Sequence, residues 1–95
     1  MAKTRTRPQT DAAPKAAREP VWRVLVRNDP VNTMPYVVAC FMRVLQVDKA
    51  EARRMMLEVH RTGSSVVWSG GRERAEGLVL QLQQWHLRAE LHADG

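Results

Sequence analysis

The stretch VRNDPVNTMPYVV, residues 26–38, joins a strand pattern to a helix pattern and decides how the fold begins. The residues that lead into it, VWRVLVR at 21–27, are rich in β-branched side chains, which is typical of a strand. The Asn-Asp-Pro triplet at 28–30 then stops the apolar run and indicates a turn. Pro35 stands in the first turn of the next helix pattern, where its missing N–H does no harm. The stretch therefore predicts a strand that turns directly into a helix.

Two helices are predicted after this turn. The first covers residues 35–46 and has the wide apolar stripe of a largely buried helix. Its stripe consists of Val37, Val38, Phe41, Met42 and Leu45. The second helix begins after Asp48 at the N-cap, with Glu51 in the position of a capping box, and ends near Gly63. Its apolar face repeats at i, i+3, i+4 and i+7 and consists of Ala52, Met55, Met56 and Val59.

The rest of the chain predicts a strand at 65–68, a break at 70–71, a third helix at 72–84 and a final strand at 87–91. Gly77 lies inside the third helix and is interpreted as a point of close packing. The order β-α-α-β-α-β predicts a two-layer α+β domain with a three-stranded antiparallel sheet packed against three helices. The outer two strands would flank the first. A similar arrangement occurs in the C-terminal domain of ribosomal L7/L12.

Residues 1–20 differ in composition from the rest of the chain. Their only apolar residue types are Ala and Met, and they hold three of the five prolines and five Lys/Arg against two Asp/Glu. Such a segment cannot bury enough apolar surface to offset the entropy of ordering it. We therefore predict a disordered basic N-terminal arm at 1–20 and a folded domain at 21–95. Of the net charge of +5, the arm carries +3, whereas nucleic-acid-binding proteins usually concentrate their charge on a folded face.

Several classes of protein are disfavoured by what the sequence lacks. A single cysteine, Cys40, allows no internal disulfide and favours a reducing compartment. No apolar run is long enough to span a membrane, and no signal-peptide core is present, so we expect a cytoplasmic protein. The three histidines do not pair at metal-ligand spacing, and no glycine-rich phosphate loop follows a strand. We expect neither an enzyme nor a cofactor.

The residues around the opening turn combine into a candidate binding site. Met56 and His60 are four positions apart on the second helix and therefore share a face. If the two helices form a hairpin, an apolar pocket is lined by Met34, Val37, Met56 and Val59, with Asn28, Asp29 and His60 at its rim. Taken singly, these residues have ordinary interpretations as a turn, core filler and a structural histidine. In combination, three acceptors around an apolar pocket suit the first residue of a peptide. That residue has an ammonium group with three donors next to its side chain.

At this point the motifs resemble a known family. The stretch NDPVNTMPYV, followed by MMLEVHRTG and then VV, is similar to ClpS, the adaptor family that recognises N-degrons for the Clp AAA+ protease. The resemblance covers residues 21–92 and the order of all six elements. The NDPVN form resembles the branch from high-GC Gram-positive bacteria.

The resemblance implies a role for each site position. Asn28, Asp29 and His60 would hold the substrate's α-amino group, with a neutral His60 as acceptor. Met34 would shape the pocket entrance and exclude β-branched side chains. The remaining pocket-wall positions would be Asn32, Val37, Met56, Val59 and Leu87. The implied ligands are substrates that begin with Phe, Tyr, Trp or Leu.

The resemblance also implies partners. The arm would engage the N-terminal domain of a Clp unfoldase, ClpC or ClpA, for degradation by ClpP, and we expect a monomer. Two departures affect the site: Pro30 stands where many relatives have a second Asp, and Asn-Thr at 32–33 stands where Thr-Pro is common. Two alternatives stay open from the residues alone. One is a small basic RNA-associated α/β protein, and the other is a small enzyme that uses His60 and Asp29 as an acid/base pair.

Overall fold

The computed structural model of the protein describes residues 20–93. Its elements are β1 (Trp22–Arg27), α1 (Met34–Leu45), α2 (Lys49–Thr62), β2 (Ser64–Gly70), α3 (Arg72–Gln84) and β3 (Arg88–Ala93). The strand order is β2-β1-β3, and β1 is antiparallel to both neighbours. The predicted α+β class, element order and strand arrangement are confirmed. The predicted arm at 1–20 lies, except for Pro20, outside the described residues.

The core lies between one face of the sheet and the three helices. Val24 and Val26 of the central strand are almost wholly buried, as their alternation in the sequence requires. Each helix contributes one of the largest fully buried side chains, namely Phe41, Met55 and Leu82. α3 packs on the sheet and α2 contacts β2, while α1 packs on α2 and α3. The opposite face of the sheet carries the charged side chains of the strands. None of the described helices has the length and apolarity needed to cross a bilayer.

The helical layer also encloses the single cysteine. Cys40 lies on α1 and is fully buried. Burial raises the pKa of its thiol, because the thiolate would lose its hydration, and a hydrogen bond with Tyr36 opposes this in smaller measure. Cys40 is therefore a core residue, as the sequence indicated, and not an activated nucleophile.

β2 is longer than the predicted strand at 65–68, since Ser64, Ser69 and Gly70 also pair with β1, and it contains a β-bulge. Val24 pairs with Trp68 while Leu25 pairs with Val66, which leaves Val67 as the extra residue of the bulge. Val67 is buried, and Trp68 packs against the same core. A Cβ at Gly70 would clash with the Trp68 ring. The end of the strand therefore needs a residue without a side chain.

The helix ends follow the predicted caps with one difference. The Asp48 carboxylate accepts a hydrogen bond from the Glu51 N–H at 2.8 Å, and Gly63 closes α2 in the left-handed region with φ 94°. The Glu51 carboxylate binds the Arg54 guanidinium through two hydrogen bonds. The Glu51 side chain therefore forms a salt bridge within one helical turn, whereas the capping-box pattern predicts that it accepts from the Asp48 backbone N–H.

Two packing expectations are wrong. Met42 is 38% exposed, whereas the sequence predicts it in the buried stripe of α1. Val44 is buried although it is not in that stripe, while the predicted Val38 and Phe41 are buried as expected. The stripe is rotated because α1 packs on α2 along one side and on α3 along the other. Gly77 does not mark close packing either, since a Cβ built there meets no atom within 4 Å.

We predict that Gly77→Ala stabilises the protein by about 0.5–1 kcal/mol, because alanine lowers the entropy of the unfolded chain and is a better helix former. Urea unfolding monitored by circular dichroism measures this. Gly63→Ala is the matched control: space is equally open there, but φ is 94°. We expect it to destabilise the protein by about 1 kcal/mol or more. A lower stability of Gly77→Ala would contradict the open packing around α3.

Candidate functional site

The end of β1 is held against the end of α2. The Asn28 N–H donates to the Gly63 carbonyl at 2.9 Å. This bond adjoins the last residue pair of β1 and β2, in which Arg27 lies opposite Ser64. Gly63 takes part because its left-handed conformation turns the chain from α2 into β2. The Asn-Asp turn therefore stands beside the last turn of α2, where His60 lies.

The turn itself is organised by Asp29. Its carboxylate Oδ1 accepts from the Val31 N–H at 2.9 Å, which forms an Asx turn, and its carbonyl accepts from the Asn32 N–H at 3.2 Å. The Thr33 hydroxyl then caps α1 by accepting from the Tyr36 N–H at 3.3 Å. These local hydrogen bonds stabilise the six-residue connection between β1 and α1, and Met34 is the first residue of α1.

A second anchor joins this turn to the corner between α3 and β3. The Asn32 side-chain amide donates to the His86 carbonyl at 3.0 Å, and the Tyr36 hydroxyl donates to the Trp85 carbonyl at 2.6 Å. His86 has φ 68°, and the Leu87 N–H bonds to the Leu82 carbonyl, so α3 ends in a Schellman motif. This motif places Leu87 under the Asn-Asp turn.

These connections enclose a small pocket of about 40 Å³. Its lining includes all nine residues predicted from the sequence: Asn28, Asp29, Asn32, Met34, Val37, Met56, Val59, His60 and Leu87. The apolar side chains of Met56, Val59 and Leu87 are buried, whereas Asn28 and His60 are exposed at the rim. The pocket is therefore apolar at its base and polar at its edge.

The rim offers hydrogen-bond acceptors that are not used within the described part of the chain. Among residues 20–93, the side chains of Asn28 and His60 have no hydrogen-bond or ionic partner. Asp29 uses Oδ1 for the Asx turn, so its other carboxylate oxygen is available. An amide oxygen, an imidazole nitrogen and a carboxylate oxygen at one rim can accept from a group with several donors.

Three lining residues were missed from the sequence: Val26, Arg27 and Arg88. They belong to the ends of β1 and β3, which pair there with Arg27 opposite Arg88. The Arg27 guanidinium donates to the Glu90 carboxylate at 2.6 Å, which lowers the pKa of Glu90, with a smaller contribution from His92. The Arg27 charge is thus compensated by Glu90. Only the strand register makes these residues neighbours of the pocket, and no local pattern signals it.

Comparison with known proteins assigns the family. Residues 17–92 match the family model described as ATP-dependent Clp protease adaptor protein ClpS. The small two-layer domain with its rimmed pocket is thus of the adaptor class, which is not catalytic. The chain belongs to the ClpS family.

Curated relatives agree with this assignment. The chain is 40% identical over 91 residues to the ATP-dependent Clp protease adapter protein ClpS of Corynebacterium jeikeium, which covers 93% of this chain and 90% of that protein. It is 38% identical over 79 residues to the ClpS of Rhodococcus jostii, covering 83% and 70%. The ClpS of Mycobacterium tuberculosis is 36% identical over 93 residues, covering 98% and 92%. The resemblance to the branch from high-GC Gram-positive bacteria is therefore confirmed.

A solved structure shares the fold. The structure of Agrobacterium tumefaciens ClpS2 bound to L-phenylalaninamide superposes with a TM-score of 0.78 at 23% identity, over 81% of this chain and 100% of that chain. The family assignment decides against the RNA-associated and enzymatic alternatives, because the relatives are adaptors of a protease.

Proposed function

We propose that the pocket binds the first residue of substrate proteins that carry N-degrons, and that the chain delivers those proteins to a Clp AAA+ unfoldase. The observation that carries the proposal is a set of acceptors around the apolar base of the pocket: the side chains of Asn28 and His60, which have no partner among residues 20–93, and the second carboxylate oxygen of Asp29. A peptide's first residue has the complementary chemistry, since its ammonium has three donors and stands next to a side chain. L-phenylalaninamide, the ligand of the Agrobacterium relative, has the same two features.

The end of α2 adds to the attraction for a cation. The last turn of this 14-residue helix contains His60, and it ends at Gly63 beside the Asn-Asp turn. The C-terminal end of a helix carries the negative pole of its macrodipole, which favours a positive charge by about 0.3–1 kcal/mol. Hydrogen bonds to a charged ammonium contribute about 1.5–3 kcal/mol each. The α-ammonium of the peptide's first residue is therefore the main determinant of affinity.

The side chain of the first residue would enter the apolar part of the pocket. Burying a Phe or Leu side chain yields roughly 1.5–3 kcal/mol. A cavity that admits benzene is roughly 150 Å³, so the pocket of about 40 Å³ must widen to hold a ring. Met34 provides this freedom because it is 42% exposed at the mouth and has three rotatable side-chain bonds. A branched Cβ beside Met34 would crowd the mouth, which supports exclusion of β-branched first residues.

Delivery assigns separate tasks to the two parts of the chain. The pocket holds the substrate, and the basic arm at residues 1–20 engages the N-terminal domain of the unfoldase. ClpC is the preferred candidate over ClpA because the ClpS relatives described above come from high-GC Gram-positive genera. A monomer in the cytoplasm suffices for both tasks, since the pocket is built within one chain.

Replacing the acceptors should weaken binding. We expect Asn28→Ala and His60→Ala each to raise the Kd for a Phe-initiated peptide at least tenfold, about 1.4 kcal/mol, because each removes one hydrogen bond to the ammonium. Fluorescence anisotropy with a labelled peptide measures this. His92→Ala is the matched control, as His92 is an exposed histidine at the opposite end of the sheet. Unchanged affinity in both site variants would refute the assignment of the rim.

The charge of the peptide's first residue can be removed instead. We expect acetylation of the α-amino group to abolish binding in the same assay, since it takes away the positive charge and two donors. A Val-initiated peptide with a free amino group serves as the comparison for the side chain. Equal affinity for the free and acetylated Phe peptides would show that the protein does not recognise the ammonium group.

The arm can be tested separately from the pocket. Deletion of residues 2–17 should leave peptide affinity intact, because no residue of the pocket lining is removed. The same deletion should stop degradation of a Phe-initiated reporter by the unfoldase and protease. Degradation at the rate of the full chain would reject the delivery role of the arm.

A further inference from the structure

A second concave surface begins where the pocket ends. This α1–α2 groove has a volume of about 740 Å³, within the range of ligand sites. It is lined by Met34, Pro35, Val38, Ala39, Met42, Lys49, Arg53, Met56 and Leu57. Met34 and Met56 line the pocket as well, so the groove is continuous with the proposed binding site.

The groove changes in character along its length. On α1, Met34, Val38 and Met42 recur every four residues and lead away from the pocket. On α2, which runs back toward the pocket, Met56 and Leu57 lie near His60. Arg53 and Lys49 lie at the far end, on the same helix face. A ligand that leaves the pocket would therefore meet apolar side chains first and two positive charges next.

The two cations are uncompensated. Among residues 20–93, neither Lys49 nor Arg53 has a carboxylate partner, although the neighbouring Arg54 is paired with Glu51 at 2.6 Å. Lys49 is also the first residue of α2, where the positive pole of the helix dipole repels it. A bound carboxylate would relieve both unfavourable placements.

We infer that the α1–α2 groove binds the residues that follow the first residue of the substrate, with apolar side chains at positions 2 and 3 and acidic ones at positions 4 to 6. The inference rests on the proposed function of the pocket. At about 1.5 Å per helical residue, Arg53 lies about 10 Å and Lys49 about 16 Å from His60 along α2. An extended peptide advances roughly 3.4 Å per residue, which brings its fourth residue to Arg53 and its fifth or sixth to Lys49.

The charge of the groove argues against this chain's own arm as the occupant. The arm carries a net charge of +3, so Lys49 and Arg53 would repel it. The same cations attract an acidic segment, and exposed methionines adapt to apolar side chains of different shapes. An apolar stretch followed by an acidic one therefore complements the groove in the order in which its side chains lie.

Two matched peptides test the inference. Anisotropy titrations at low salt would compare labelled Phe-Leu-Leu-Asp-Asp with Phe-Leu-Leu-Lys-Lys. We expect the acidic peptide to bind about threefold to tenfold more tightly, as two exposed ion pairs allow, and the difference to shrink at about 0.5 M salt. In the double variant Lys49→Glu and Arg53→Glu the preference should reverse. In Lys49→Gln with Arg53→Gln it should vanish, and in the control Arg74→Glu on α3 it should persist.

The outcomes separate this inference from the proposed function. Equal affinity of the two peptides for the unmodified protein, with binding still lost on acetylation, would overturn the groove assignment and leave the pocket assignment intact. Failure of both peptides to bind would reject the proposed function itself. A preference that appears only after residues 2–17 are deleted would assign the groove to the arm. Concentration-dependent self-association that the Glu variant abolishes would assign it to a second copy of the chain.

Discussion

The hydrogen bond from the Asn28 N–H to the Gly63 carbonyl is the contact on which the site depends. It fastens the end of the central strand to the end of α2, and it is possible because Gly63 adopts a left-handed conformation that turns its carbonyl toward β1. This contact extends the pairing of β1 with β2 by one residue beyond the Arg27–Ser64 pair and sets the Asn28–Asp29 turn beside the last turn of α2, which contains His60. With it, the acceptors meet around one opening although they are far apart in the sequence.

The base of the pocket consists of core residues. Met56, Val59 and Leu87 belong to the cluster that holds the helices to the sheet, and they also line the pocket. A site built on packed elements keeps its geometry better than one built on loops alone. The loop part is itself restrained, since Asn32 and Tyr36 are hydrogen-bonded to the corner after α3. Met34, by contrast, is 42% exposed and has a flexible side chain.

The surface around the site divides into regions of different charge. The C-terminal end of α2 and the rim acceptors favour a cation, whereas Arg53 and Lys49 at the other end of the same helix favour an anion. Arg27 lies at the pocket but is compensated by Glu90. A polypeptide with a positive first residue and a negative charge several residues later would match this charge distribution. The two regions lie toward opposite ends of α2, so the length of that helix sets the distance between them.

The sequence by itself determined the class of fold, the caps of α2 and nine of the twelve residues that line the pocket. Periodicity marks which face of an element is buried, Asp48 and Gly63 mark the helix ends, and the NDPVN and Met-x-x-Val-His motifs indicate the family. Tertiary structure alone decided the bulge at Val67, the exposure of Met42, the open space at Gly77 and the place of Val26, Arg27 and Arg88 at the pocket. The physical reason is that local patterns report the preferences of one segment. Strand register and helix contacts depend on how several segments pack together.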